Sequence, residues 1–222
     1  MAMRTNISKR QLVTFFVVLM SFASYAQKIK AVKKVDSNQY EVITLGAGCF
    51  WCVEAVFERL NGVQKVVSGY SGGKIPNPTY KEVCSGLTGH AEVVQVTYNP
   101  SEIEIETLLE VFFKTHNPTT PNRQGADVGT QYRSSIFFHT DEQKEVALKV
   151  ISKLNAARIW PEPIVTEIVA FTKFFKAEDY HQDYFANNRT QPYCQAVINP
   201  KISKLEDVFK DLLKDKYRKV NR

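Results

Sequence analysis

Residues 46–54 read Gly46-Ala47-Gly48-Cys49-Phe50-Trp51-Cys52-Val53-Glu54, and this stretch decides how the chain folds around its chemistry. Upstream, residues 40–45 alternate and are β-branched, the pattern of a strand. Downstream, residues 49–60 carry helical periodicity. The glycines between them break the strand and let the backbone turn sharply. A cysteine therefore falls at the first turn of a helix, where unpaired N–H groups and the positive dipole end favour an anion. Thiolate is the nucleophilic form, so Cys49 is expected to have a lowered pKa and to be reactive. The plainer alternative is a buried structural thiol, with Phe50 and Trp51 as ordinary core aromatics.

Working outward, the pattern predicts strands over residues 62–70, 92–98, 134–139 and 165–170. Helices are expected over 103–115, with Ile105, Leu108, Leu109, Phe112 and Phe113 inward, and over 141–157, capped by Thr140. A short helical turn is expected at 80–84, and further helices at 177–187 and 205–217. Residues 117–131 read as a loop rich in Pro, Gly and Asn, too long for a simple connection. Cys194 falls in a polar loop. No repeat or Gly/Ser linker splits the chain, so one domain is expected. The fold class is α+β: a single-domain, ferredoxin-like α/β sandwich with a βαβ…βαβ core, extra helices and a long C-terminal segment.

The N-terminus reads as an address. Arg4, Lys9 and Arg10 precede an uncharged run over residues 11–27 that ends in Ser24-Tyr25-Ala26. A positive start, a short apolar run and a small-residue cut site make a secretory signal peptide over residues 1–26. Residues 27–39 then form a linker, and 40–222 the working domain. The expected location is periplasmic or secreted, the alternative being an uncleaved membrane anchor. The chain of 222 residues has a formal net charge of +6. Residues 1–26 hold three of its basic and none of its acidic residues, so the mature chain carries only +3. Its remaining Lys and Arg are interspersed with acids, which argues against a nucleic-acid partner. No membrane partner is expected once the signal is removed, and the chain is expected to be a monomer.

Four cysteines are too few to staple a chain of this length and enough for redox chemistry or one metal site. Cys49 and Cys52 form a C-x-x-C at a helix start, which fits a thioredoxin-like redox dithiol or half of a zinc site. Zinc needs two further ligands. Cys84, His90, His181 and Cys194 are present, but without a second paired spacing, and no metal is expected. Phe-Trp between the cysteines is unusual for a thioredoxin-like dithiol.

Four ordered motifs carry a resemblance. Gly48-Cys49-Phe50-Trp51, Thr88-Gly89-His90-Ala91-Glu92, residues 124–134 (QGADVGTQYRS) and Tyr180-His181-Gln182 resemble the peptide methionine sulfoxide reductases of the A type, which act on the S epimer. The similarity runs from about residue 44 to 201, most of the mature chain. It implies reduction of methionine sulfoxide, free or in proteins, with Cys49 as nucleophile and Glu92 as the acid that protonates the departing oxygen. Phe50 and Trp51 would wall a methyl pocket, Tyr80 and Tyr132 would hydrogen-bond the oxygen, and Asp127 would be a polar member of the site. Cys194, in Pro192-Tyr193-Cys194-Gln195, matches the resolving position on a flexible C-terminal segment, with Tyr193 beside the substrate. Many relatives carry glycine where this chain has Cys52, so Cys52 is a second resolving candidate, ranked behind Cys194. No bound cofactor is implied, and turnover would need an external thioredoxin-like dithiol. Cys84 is expected to be a buried structural thiol.

Overall fold

The structure, a computed structural model, describes residues 39–218. The expected signal peptide and most of the linker lie outside them.

Strand β1 (Glu41–Ala47) leads through Gly48 into helix α1 (Phe50–Phe57), and the chain returns as β2 (Val63–Ser71). A short helix α2 (Tyr80–Cys84) precedes β3 (Ala91–Tyr98) and helix α3 (Ile105–Thr115). A two-residue hairpin follows, β4 (Arg123–Gln124) and β5 (Asp127–Val128), then β6 (Ser134–Phe138) and helix α4 (Asp141–Ala156). Strands β7 (Glu167–Ala170) and β8 (Phe174–Lys176), helix α5 (Tyr184–Asn187) and helix α6 (Asn199–Val208) complete the order.

The main sheet runs β7-β6-β1-β3-β2-β8. Its central four strands, β6-β1-β3-β2, are antiparallel throughout. Strand β3 therefore lies between the β1 and β2 joined by α1, and β1 between β3 and β6, whose connection carries α3. These two interleaved βαβ units are the ferredoxin-like core read from the sequence. Only β7 pairs in parallel, with β6.

Period-two alternation sorts the sheet residues onto two faces. On β3, Val94, Val96 and Tyr98 enter the main core with Ile43, Leu45, Phe57 and the α3 residues Leu108, Leu109 and Phe112. Ala91 and Val93 face the other way, into a small cluster with Phe137, Phe171 and Phe174. Glu92 shares the parity of Val94 and Val96, so the strand carries a carboxyl into the helix-covered face. A buried acid among core positions is informative, because Glu is almost never fully buried without a reason.

Helix α1 is buried nearly all round, with Trp51 alone half-buried among its eight residues. Helix α4 begins as expected, Gln143 N–H donating to Thr140 Oγ1.

Three sequence readings change. The helix expected over 177–187 is a 3-10 turn (Asp179–His181) and the short α5, separated by Asp183 at φ 51°. The cause is Gln182, whose amide pairs with the β2 backbone: Ser68 N–H donates to Oε1, and Nε2 donates to Ser68 O. The last helix lies at Asn199–Val208, with Pro200 in its first turn, and 210–217 hold only 3-10 turns. Cys194 is not in an open loop but in a π-helical turn (Cys194–Ile198), fully buried against the core. Strand β8 and the β4–β5 hairpin are too short to show a pattern.

Candidate active site

Gly48 sits at φ +89°, a conformation open to glycine, and a Cβ there would meet the Gln124 side chain at 2.7 Å. The turn aims Cys49 at the N-cap of α1, where its side chain makes no capping bond. Glu92, directly opposite Tyr70 across β2–β3, comes up beneath the same turn. Phe50 N–H donates to Glu92 Oε2 at 3.1 Å. Cys49, Phe50, Cys52 and Glu92 are all buried.

Burial pushes the Glu92 carboxyl up to about 8, against the Phe50 N–H; the charges of Asp127 and Cys52 add to the rise. Glu92 is therefore a protonated acid at neutral pH. Once ionised, its charge raises the pKa of Tyr80, Tyr132 and Cys49, so these groups surround one point. Tyr80 and Tyr132 are half-buried phenols whose pKa is raised, first by burial.

The two thiols form a hydrogen-bonded pair. Burial first, then the bond to Cys52, pushes the Cys49 thiol well above its ordinary value. The same bond lowers Cys52 to about 7, against burial, with help from Lys201 and Tyr193. The pair, rather than either sulfur, titrates. Burial works against the helix start at Cys49, so the thiolate expected there is shared with Cys52. Tyr193 Oη lies 3.9 Å from Cys52 Sγ and donates to Asp127 Oδ2 at 2.8 Å, so Asp127, Tyr193 and the dithiol are one network.

The aromatic wall is built from outside α1. Phe50 packs with Tyr80 at 6.4 Å and with His181 at 4.9 Å between ring centroids. Trp51 stacks on Tyr184 at 3.6 Å, 7° from parallel, and its Nε1 donates to His181 Nδ1 at 3.0 Å. That bond makes Nδ1 the acceptor, so Nε2 carries the proton, and it lies buried 3.9 Å from Glu178 Oε2. Glu178 accepts from Tyr70 Oη and Tyr80 N, each at 2.8 Å. Burial opposes these bonds, yet they hold its carboxyl below the usual range.

The structure thus gathers Cys49, Phe50, Trp51, Cys52, Tyr80, Glu92, Asp127, Tyr132 and Tyr193. His181, Glu178, Tyr184 and Tyr70 were not assigned to the site from the sequence. His181 stood in a quoted motif, which was the available signal; Glu178 and Tyr184 had none. Cys194 is buried close enough for the Cys52 charge to raise its pKa, after burial itself. Cys84 is only half-buried and hydrogen-bonds Tyr80, which corrects its reading as a core thiol. Among the described residues, no three His, Cys, Asp or Glu side chains converge as a metal-binding group.

Comparison with known proteins agrees with this geometry. Residues 41–213 match the family model "Peptide methionine sulfoxide reductase". The chain is 59% identical over 174 residues to "Peptide methionine sulfoxide reductase MsrA 1" of Rhodopirellula baltica, covering 78% of this chain and 90% of that one. It is 56% identical over 171 residues to the MsrA of Sulfolobus acidocaldarius, covering 77% and 96%. Reduced Mxr1 from Saccharomyces cerevisiae superposes with a TM-score of 0.65 at 36% identity, over 74% of this chain and 94% of that one. The buried dithiol, the protonated acid and the match across the whole described core have one meaning: this chain belongs to the peptide methionine sulfoxide reductases, oxidoreductases that act on methionine sulfoxide.

Proposed function

We propose that Cys49 attacks the sulfur of methionine S-sulfoxide while Glu92 protonates its oxygen. The observation that carries this reading is the buried Glu92 carboxyl, protonated at neutral pH and tied by the Phe50 N–H to the turn bearing Cys49. Sulfoxide oxygen is a poor leaving group unless protonated in the transition state. The thiol and the acid exchange roles: Glu92 gives its proton to oxygen and the Cys49 proton replaces it. Cys49 Sγ bonds first to the sulfoxide sulfur; the protonated oxygen then passes from that sulfur to Cys49 Sγ as the substrate S–O bond and the Sγ–S bond break, and methionine leaves with Cys49 as sulfenic acid.

Epimer choice follows from three unlike walls. Glu92, Tyr80 and Tyr132 take the oxygen, Phe50 and Trp51 take the methyl, and Cys49 takes the open face of sulfur. A pyramidal centre with oxygen and methyl both placed fits in one hand, and the similarity to the A-type reductases makes that hand S.

A second thiol then displaces hydroxide from the Cys49 sulfenic acid, forming a disulfide and water. We place Cys52 ahead of Cys194 here, reversing the order read from the sequence, because Cys52 already hydrogen-bonds Cys49 and is the lowered partner. Cys194, whose thiol the Cys52 charge pushes up after burial, would receive the disulfide by exchange. An external thioredoxin-like dithiol would return both thiols. A monomer exported to the periplasm or beyond by cleavage after Ala26, working through residues 40–222 on oxidised proteins, completes the proposal.

The test is a single turnover without reductant. Cys52→Ser should leave methionine release intact and delay disulfide formation; Cys194→Ser should permit a Cys49–Cys52 disulfide. A Cys49–Cys194 disulfide appearing first by mass mapping would reverse this order.

A further inference from the structure

Behind Cys52, with none of Phe50, Trp51, Tyr80, Glu92 or Tyr132 in its walls, lies a cavity of about 10 Å³, near the lower limit for one water. Its walls are Ala47 from β1, Cys52, Val53 and Val56 from α1, Thr115 and His116 from the end of α3, and Lys201 from the first turn of α6. The polar groups at the α3 end are spoken for. Thr115 Oγ1 donates to Val111 O at 2.8 Å. His116 is held between Phe112 O at 2.6 Å and Ser134 Oγ at 2.8 Å. Lys201 is the one cation left among these walls.

We propose that Lys201 is a positioning residue for the second redox step: its ammonium, across a water-sized cavity from Cys52, favours the thiolate that attacks the Cys49 sulfenic acid. The inference rests on Cys52 being the first resolving thiol. The step balances without a further reagent: the Cys52–Cys49 S–S bond forms, the S–O bond breaks, and hydroxide leaves to take up the proton that Cys52 released.

The groups facing Cys52 can be weighed by side. From its own helix comes Cys49, which hydrogen-bonds it. From the substrate side come Tyr193, Asp127 and Glu92, and from the π turn Cys194. Asp127 opposes a thiolate and Tyr193 assists it. Behind Cys52, His116 is pushed down to about 3, chiefly by burial and further by Lys201, so it stays neutral. Cys49 ceases to be a thiol donor once it becomes a sulfenic acid. Lys201 is then the constant positive charge on the attacking sulfur, and it acts from the cavity between α1, α3 and α6.

The test compares the full chain with Lys201→Met and Lys201→Arg after one equivalent of methionine S-sulfoxide and no reductant, across pH 6–10. Methionine release and disulfide formation are timed separately. Lys201→Met should leave release unchanged, move the pH midpoint of disulfide formation upward, and slow that step roughly threefold to tenfold at pH 7. Lys201→Arg should restore the midpoint, and all three proteins should converge at high pH. A loss spread evenly over pH, or no change, would overturn the proposal, since a merely structural lysine gives one or the other. Cys52→Ser keeps the two ideas apart. If it forms its first disulfide at the normal rate, Cys52 is not the resolver and both readings fall. If it blocks the step while Lys201→Met leaves the midpoint in place, Lys201 alone is dismissed.

Discussion

The Phe50 amide donates to Glu92 Oε2 across 3.1 Å, so the acid is anchored to the same helix turn that positions Cys49. Replacing Glu92 with Gln preserves an acceptor for Phe50 N–H but removes the transferable proton. The methionine-release step should slow by about 10²-fold or more, while far-ultraviolet circular dichroism stays unchanged. An unaltered single-turnover rate would remove Glu92 from the chemistry.

The same substitution makes an opposite prediction for stability. Glu92 is raised from 4.5 to about 8, so the native state binds its proton more tightly than the unfolded chain does. That stability is full below about pH 4.5 and is lost as pH rises through 8. Glu92→Gln should therefore be the more stable protein at pH 9, by on the order of 1–4 kcal/mol, and have no such advantage at pH 4. Urea melts at the two pH values read this directly.

Activity should trace a bell. Methionine release needs protonated Glu92 and falls as pH passes about 8. Disulfide formation needs the Cys52 thiolate and rises with pH. Turnover under excess reductant should therefore climb with pH and fall again as Glu92 loses its proton. Glu92→Gln should lose the alkaline limb of the release step; if both limbs remain, other groups set them.

His181→Phe removes the acceptor of the Trp51 indole while keeping a ring in the aromatic box. An indole N–H left buried without a partner costs about 1–3 kcal/mol. The KM for sulfoxide should rise about tenfold, with a smaller change in kcat, and His181→Gln should recover part of the loss. Equal loss of kcat and kcat/KM would assign His181 to the transition state instead.

Gly48→Ala tests the turn. The new Cβ would need the left-handed region and would meet Gln124, whose amide is fixed by Asn117 N and O at 3.0 and 2.9 Å. A loss of about 1–3 kcal/mol is expected, with activity falling further than stability because Cys49 is displaced. Wild-type activity in a folded Gly48→Ala protein would contradict the turn's role.

The sequence-to-structure relation differs from element to element for physical reasons. The strand–turn–helix at 41–57 was legible because period two, glycine and period 3.6 follow one another within a few residues. Glu92 was legible only through its motif, since EVVQVTY reads equally well with that carboxyl in water; its parity with Val94 and Val96 is a tertiary fact. The helix expected over 177–187 was lost to Gln182, whose amide found a better partner in the β2 backbone than a helix could offer. Cys194 read as part of a loop because its neighbours are polar, yet the π turn buries it in the core. His181 and Glu178 act through contacts across more than 90 residues of chain, which local pattern does not carry.

The most direct measurement mixes the fully reduced protein with one equivalent of each separated methionine sulfoxide epimer, without reductant, then alkylates free thiols and maps them by mass. The account predicts one equivalent of methionine from the S epimer, none from the R epimer, and Cys49 protected from alkylation within a disulfide. Methionine release by a Cys49→Ser protein, or release with Cys49 still free to alkylate, would contradict it.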